Sequence, residues 1–304
     1  MGVTDISDNE CPIREYRYAF CFRIDIRTIS KKVLSKNKYS INFQLASISK
    51  NKSFTFASAN GYFMKRVLIL SLLAAVFTAV SVSCCEDAEK DFVLVTDVVP
   101  DAILEIRYYS TYNFIGNRIP GYEEPVALLT RQAADSLKSV SDELLQQGYR
   151  IKIFDAYRPQ CAVDFFMEWA KDTSDVRMSE YFYPELDKSV LIPQGYIAGK
   201  SGHTRGSTID LTLFDMKTEK EVDMGCTFDY FGVASHPDVL PGQEIGTYKP
   251  ITGEQYLNRM ILRDAMLRHG FKPYDCEWWH FTLENEPYAD TYFTFPVSTS
   301  SVSR

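Results

Sequence analysis

Two short segments of this 304-residue chain carry side chains that could bind one metal ion. The segment SGHTRGSTID contains His203 and Asp210, and the segment EWWHF contains Glu277 and His280. The chain has only four histidines, so two of them in such polar, aromatic-rich settings need an explanation. Either they satisfy unrelated local hydrogen bonds, or the two segments form one metal centre. Imidazole nitrogens and carboxylate oxygens are both good ligands for zinc.

The first segment has the composition of a turn that leads into a strand. Gly202 and Gly206 favour a tight turn, and a strand is predicted to begin at Ser207. Such a turn lets His203 before it and Asp210 on the strand converge on one point. A His and an Asp at this spacing also occur together by chance, so this segment alone leaves both interpretations open.

The second segment offers another ligand and a candidate base. On a regular strand Glu277 and His280 would face opposite sides, so a bulge or twist is needed to bring both to one site. Catalytic zinc sites keep three protein ligands and one water, whose pKa falls to about 7, and a nearby glutamate can take its proton. His203, Asp210 and His280 would then be the ligands and Glu277 the base. Alternatively, the two tryptophans belong to the core and the flanking polar residues have structural roles.

Other polar residues are weaker candidates. Arg158, in FDAYRP, follows a predicted strand, where it could bind a carboxylate, stabilise an oxyanion or form an ordinary surface salt bridge. Asp155 and Asp229 are candidates for a supporting role. His236 lies in a predicted loop and His269 in the last turn of a predicted helix, where an imidazole suits the helix dipole. Neither histidine is favoured as a ligand.

The elements that must position these residues are strongly patterned. Three helices are predicted from helical spacing of apolar residues, the Thr130 cap, Pro159 and closing glycines, over 130–148, 159–172 and 254–270. Strand-like patterns predict strands over 149–157, 207–215 and 277–284. Helices and strands alternate without a regular parallel rhythm. We therefore expect one α+β domain over 92–297, with a mostly antiparallel central sheet flanked by helices, the metal site on the sheet and a tail over 298–304. Free buried thiols are expected at the three cysteines beyond the leader, Cys161, Cys226 and Cys276.

The charge of the chain is divided unevenly. Residues 1–83 carry 12 Lys and Arg against 5 Asp and Glu, whereas residues 84–304 carry 21 against 35. A globular part this acidic is a poor nucleic-acid binder, because such binders usually present a basic face. The chain also lacks the glycine-rich loops that cradle nucleotide phosphates.

The N-terminal part reads as a leader. Residues 64–84, MKRVLILSLLAAVFTAVSVSC, have a charged start, an apolar run and small residues before a cysteine, as in a bacterial export signal. The apolar run is short for the roughly 20 residues of a membrane-spanning helix. We expect translation to start at Met64, with 1–63 an upstream extension or a disordered leader and 85–91 a tether. Cys84 is then the candidate lipidated residue, although Ser81 stands where Leu is usual. Plain secretion and cleavage before Cys85 are alternatives.

The chain resembles the zinc D,D-peptidases of family M15, and in particular the D-alanyl-D-alanine dipeptidases of the vancomycin-resistance type. The resemblance rests on three segments in this order: YRP, SGHTRGSTIDLTL and EWWHF. YYSTYNFIG, MGCTFDYF and YFTFP extend the resemblance over about 92–297. The departures are Thr208, where Ala is usual, and Gly202, where some members have Ser. The change at Thr208 is small and lies beside a candidate ligand. Gly202 and a variable loop over 232–250 concern the exact substrate preference and not the chemistry.

The resemblance implies a set of roles. His203, Asp210 and His280 would bind one Zn²⁺ per subunit, Glu277 would be the general base and then the acid, and Arg158 would stabilise the oxyanion. Tyr108, Ser201 and Asp155 match positions that hold or support the substrate.

The reaction implied is hydrolysis of D-alanyl-D-alanine to two D-alanines in a small closed pocket. A D,D-carboxypeptidase acting on peptidoglycan stems is the alternative, and a non-catalytic wall-binding lipoprotein is a third reading. The expected partner is therefore a small D,D-dipeptide, and the expected location is the periplasm or a membrane surface reached through a lipid anchor.

Overall fold

A computed structural model describes residues 91–246 and 248–302 of the chain. The elements alternate irregularly between strands and helices, as the sequence predicts. The strands are β1 (Phe92–Leu94), β2 (Ile103–Leu104), β3 (Leu128–Thr130), β4 (Tyr149–Asp155), β5 (Thr208–Asp215), β6 (Lys220–Glu221), β7 (Phe271–Tyr274) and β8 (Glu277–Leu283). The α-helices are α1 (Val95–Val98), α2 (Arg131–Gln146), α3 (Gln160–Lys171), α4 (Ser179–Phe182) and α5 (Gly253–Arg268).

One six-stranded sheet organises the described part of the chain. Its strands follow the order β2-β4-β5-β8-β7, and the short β6 pairs with the end of β5. The β2–β4 pair is parallel and the other pairs of this sheet are antiparallel. β1 and β3 form a separate antiparallel pair. The predicted α+β class with a mostly antiparallel sheet is confirmed.

Two helices, the amphipathic α2 and the less strongly patterned α5, cover part of this sheet. α2 begins as predicted at Thr130, whose side chain accepts a hydrogen bond from the Ala133 backbone, and it packs on β4. α5 packs on β7 and contacts α2. It begins with a capping box, in which the side chains of Thr252 and Gln255 satisfy each other's backbone N–H groups. None of the described helices is both long and apolar enough to cross a membrane.

Some expectations need correction. Pro159 is the N-cap of α3 and not its first helical residue, because its backbone is still extended. The three described cysteines form no disulfide, as expected, but they are not buried: Cys161 is exposed and Cys226 and Cys276 are half-buried. Cys161 is exposed because the buried residues of α3 lie on its other face. The predictions for residues 1–90, including the signal segment and Cys84, lie outside the described residues.

Candidate metal centre and active site

The centre of the site is a pair of residues opposite each other on adjacent strands. Asp210 of β5 and His280 of β8 are direct partners in the antiparallel register. Side chains of opposed residues on one face of such a pair approach within about 5 Å. The sheet therefore brings together two groups that lie seventy residues apart in sequence.

The third member is supplied by a single 3-10 turn over Gly202–Arg205. Ser201 caps it by accepting a hydrogen bond from the His203 backbone N–H at 3.3 Å. Gly206 ends it at φ 81°, the left-handed region that favours glycine. A Cβ on Gly206 would lie 2.2 Å from the Phe92 ring, so glycine lets the turn pack against β1. This close packing fixes where His203 enters the site.

His203 presents a defined nitrogen to the centre. Its Nδ1 lies 2.7 Å from the Ala156 carbonyl oxygen, which can only accept, so Nδ1 donates to it. Nε2 of the neutral ring is then a lone-pair donor. Burial lowers the pKa of His203, which favours this neutral form. A backbone carbonyl behind a ligating histidine is the usual way in which its ring is oriented.

The three groups fit a metal ion. His203 Nε2 lies 3.2 Å from Asp210 Oδ2 and 3.2 Å from His280 Nδ1, and His280 Nδ1 lies 3.1 Å from Asp210 Oδ1. One ligand atom from each residue can be chosen so that all lie within 4.8 Å of one another. Asp210 Oδ1 is buried, and no group of the described residues, His280 Nδ1 at 3.1 Å included, meets it with hydrogen-bond geometry. Although burial opposes its ionisation, the two histidines hold the pKa of Asp210 below its ordinary value.

A bulge aligns Glu277 with His280. The β7–β8 register shifts between Pro273 and Tyr274, whose partners on β8 are Phe281 and Glu277. This is the local irregularity that the spacing of Glu277 and His280 requires, and Glu277 Oε2 lies 3.4 Å from His280 Nδ1. Burial, joined by the negative charge of Asp210, raises the pKa of Glu277 to about 7. A carboxylate near its midpoint at neutral pH suits proton transfer.

Arg158 lies beside the centre in a fixed position. Its Nε and Nη2 each lie 2.9 Å from Asp155 Oδ2, and Nη2 lies 3.7 Å from Asp210 Oδ2. The guanidinium carbon is 4.9 Å from the centre of the Tyr108 ring and 5.3 Å from that of Phe166. These contacts orient the planar cation without neutralising its whole face, which leaves it able to bind an anion.

These groups meet in a cavity of about 270 Å³. Its walls combine apolar side chains, among them Phe114, Val163, Phe166, Ile197 and Phe231, with the charged groups of the centre. Arg158 and Lys200 supply the basic side chains of this lining, and Asp210, Asp229 and Glu277 supply the carboxyl groups. A cavity of this size and charge suits a small zwitterion.

Comparison with known proteins agrees with this geometry. The family model of the M15 peptidases described as D-ala-D-ala dipeptidase matches residues 88–298. This chain belongs to that family. It is 37% identical over 210 residues to the D-alanyl-D-alanine dipeptidase of Enterococcus faecalis, covering 69% of this chain and 100% of that one. Similar proteins of the same name occur in Streptomyces coelicolor (34% identical, 68% of this chain and 98% of the relative) and Escherichia coli (32%, 61% and 81%).

The M15 site contains most of the residues singled out from the sequence. Tyr108 and Ser201 line the cavity together with the three candidate ligands, Glu277 and Arg158. Asp155 does not line it: the side chain is 1% exposed and both oxygens accept hydrogen bonds, from Arg158 and Tyr122. Asp155 therefore has no direct access to a substrate in the cavity, contrary to expectation, and instead supports Arg158. His269 contacts Glu143 of α2, and His236 is absent from the cavity lining.

Asp229 lies in the cavity lining of the M15 site, closer to its centre than the predicted supporting role suggested. Its carboxylate lines the cavity and accepts a hydrogen bond from the Tyr108 hydroxyl at 2.9 Å. Its backbone has φ 61°, uncommon for a residue other than glycine and found more often at functional sites. Burial, joined by the charge of Asp210, raises the pKa of Asp229 well above its ordinary value. The aromatic segment TFDYF was the only sequence signal for this position.

Proposed function

We propose that the protein hydrolyses D-alanyl-D-alanine to two D-alanines with one zinc ion per subunit. The observation that carries the proposal is the group His203, Asp210 and His280, with Glu277 3.4 Å from His280, inside a cavity of dipeptide size. The relatives named D-alanyl-D-alanine dipeptidase support the choice of substrate.

The donor set favours zinc. Two imidazole nitrogens and one carboxylate oxygen are typical ligands of catalytic zinc. When bound, zinc would supply a Lewis acid that polarises the peptide carbonyl and lowers the pKa of water. Glu277 would take the proton of the attacking water and return it to the leaving amine. Its position 3.4 Å from His280 supports this role.

Arg158 supplies a positive charge that can stabilise the negative charge that the reaction develops. Attack on the peptide carbonyl places negative charge on its oxygen, and a preorganised cation in a partly dry site stabilises that charge strongly. The Tyr108 and Phe166 rings and the Asp155 carboxylate hold the guanidinium in place before the substrate arrives. Its contribution is thus made in the transition state rather than in substrate binding.

The remaining charges match the two ends of a free dipeptide. The Asp229 carboxylate is available for an ammonium group, which would favour its ionised form. Lys200 is available for the terminal carboxylate, and its ammonium lies 4.9 Å from the centre of the Tyr292 ring. A stem peptide offers no free ammonium at the residue before the scissile bond. This charge pattern favours a dipeptidase over a D,D-carboxypeptidase.

We further propose that the enzyme acts outside the cytoplasm, because residues 64–84 have the composition of an export signal. Cys84 follows small residues at the end of this segment, where a lipidated cysteine would lie. It would then recycle dipeptide released from wall material. Cell fractionation tests this: a cytoplasmic product that keeps its leader would contradict export, and a soluble periplasmic product would contradict the lipid anchor.

The activity is tested with protein that begins at Glu86. D-Alanine release from D-alanyl-D-alanine is measured with zinc, with a chelator and in Glu277→Gln, and a stem pentapeptide is offered in parallel. We expect zinc-dependent release from the dipeptide alone, reduced at least about a thousandfold in Glu277→Gln while zinc remains bound. Release from the pentapeptide would indicate a carboxypeptidase. Bound zinc without release from either would indicate a binding protein.

A further inference from the structure

A buried hydrogen-bonded chain runs from Arg158 away from the cavity. Asp155 Oδ2 accepts from Arg158, and Asp155 Oδ1 accepts from the Tyr122 hydroxyl at 2.6 Å. Tyr122 is 2% exposed and Asp155 is 1% exposed, so water does not compete for these bonds. Burial, together with the Asp155 charge, raises the pKa of Tyr122, so its hydroxyl stays protonated and donates.

The Tyr122 hydroxyl determines how the carboxylate faces Arg158. Asp155 Oδ2 accepts from the guanidinium at 2.9 Å and lies further, at 3.6 Å, from His203 Nδ1. Asp155 Oδ1 has Tyr122 as its hydrogen-bond donor among the described residues. Without that donor, a buried carboxylate oxygen would be left unsatisfied, and the carboxylate would rotate to find another partner. That rotation would weaken the hydrogen bonds that fix the guanidinium between the Tyr108 and Phe166 rings.

The C-terminal segment holds Tyr122 itself in place. The Val297 backbone N–H donates to the Gly121 carbonyl at 2.7 Å, and the Val297 carbonyl accepts from the Glu123 and Glu124 N–H groups. Gly121 has φ 87°, and a Cβ there would lie 2.6 Å from Pro159, the cap of α3. The loop that carries Tyr122 is thus tied on one side to the chain terminus and pressed on the other against the residue after Arg158.

We propose that Tyr122 is a positioning residue for catalysis: through Asp155 it fixes Arg158 where the oxyanion develops. The inference rests on the proposed hydrolysis, and it assigns to Tyr122 an effect on the chemical step and not on substrate binding. A residue that acts through Arg158 changes transition-state stabilisation, whereas a merely structural residue would change stability and zinc content.

Tyr122→Phe removes only the hydroxyl and keeps the ring that packs against Tyr108. Tyr157→Phe is the matched control, since Tyr157 is also buried and its hydroxyl donates to the Phe295 carbonyl of the same C-terminal segment at 2.9 Å. For Tyr122→Phe we expect kcat on the dipeptide to fall about tenfold or more, with KM within about twofold. Affinity for a phosphinate analogue of the tetrahedral transition state should fall by the same factor as kcat/KM. Tyr157→Phe should keep kcat within about twofold of the parent value.

A second measurement does not depend on activity. The exchange rate of the Arg158 Nε proton, followed by NMR in the zinc-loaded protein, should rise about tenfold or more in Tyr122→Phe and stay unchanged in Tyr157→Phe. Unchanged kcat and unchanged exchange would overturn the inference, and so would loss of zinc, because the role would then be structural. A parent protein that leaves the dipeptide intact would refute the proposed function, and the exchange rates would still decide the role of Tyr122.

Discussion

Gly202 and Thr208 lie in contact at the entrance of the metal-binding turn: a Cβ on Gly202 would be 2.8 Å from Thr208 Oγ1. At both positions the sequence departs from the family pattern that it resembles: Thr208 stands where Ala is usual, and Gly202 where some members have Ser. Thr208 uses its hydroxyl to bond Thr282 across the β5–β8 pair at 2.9 Å. The space that this hydroxyl takes is the space that a side chain at 202 would need. The two departures therefore compensate each other.

The contact predicts strong coupling between the two positions. Gly202→Ser alone should lower the free energy of unfolding by about 1–3 kcal/mol, the usual range for overpacking. In a Thr208→Ala background the same change should cost at least about 1 kcal/mol less. Denaturant unfolding of the four proteins measures the coupling. Thr212→Ala, in a buried position further along β5, is the control background, in which the full cost should persist. Equal costs in both backgrounds would show that the contact does not govern residue 202.

Metal removal should lower the stability of the folded protein, because zinc bound by the three candidate ligands stabilises it. Zinc at about 1,000 times its Kd stabilises a protein that binds it only when folded by about 4 kcal/mol. We expect a zinc-dependent rise in unfolding temperature that disappears in His280→Ala. His269→Ala is the control: it loses the contact of His269, the C-cap of α5, with Glu143 but should keep the zinc-dependent rise. A rise that survives in His280→Ala would place the metal elsewhere.

Lys200 should determine the preference for a free carboxylate. The dipeptide amide lacks the negative charge that we assign to Lys200, so the parent enzyme should bind it about tenfold more weakly. Lys200→Gln should raise KM for the dipeptide about tenfold and leave KM for the amide nearly unchanged. Lys171→Gln on the exposed face of α3, where Lys171 pairs with Glu168, should leave both values as they are. If Lys200→Gln raised KM for the dipeptide and for its amide by the same factor, Lys200 would not bind the terminal carboxylate.

The regular elements were predictable because their patterns are local. Thr130 and the apolar residues of α2 identify a helix from sequence alone, and β4, β5 and β8 show strand patterns. β1 and β2 have only three and two residues, too few for a period, and β7 contains Pro273. β1 and β2 form through partners that are distant in sequence, β3 and β4, which no local pattern encodes. β7 pairs with the next strand, β8, and its proline hides the strand pattern.

The site was predictable in its residue types but not in its geometry. The convergence of Asp210 with His280 depends on the β5–β8 register, and that of Glu277 with His280 depends on a bulge. Asp155 sits at the end of a strand like a site residue, yet its two buried hydrogen bonds turn it away from the cavity. Burial and pairing of this kind depend on tertiary packing and cannot be inferred from spacing.

Gly206 links packing to metal binding, and its replacement tests that link. An alanine there must adopt φ 81° and place its Cβ 2.2 Å from Phe92, so both strain and a clash arise. Gly148→Ala is the matched control, because Gly148 has φ 89° but open space around its Cβ. We expect Gly148→Ala to cost about 1–2 kcal/mol in unfolding free energy, the cost of the left-handed conformation alone. Gly206→Ala should cost at least about 2 kcal/mol more and weaken zinc binding about tenfold or more, because the clash moves the turn that carries His203. Equal losses in the two variants, with zinc affinity unchanged in both, would show that the turn adapts without moving the ligand.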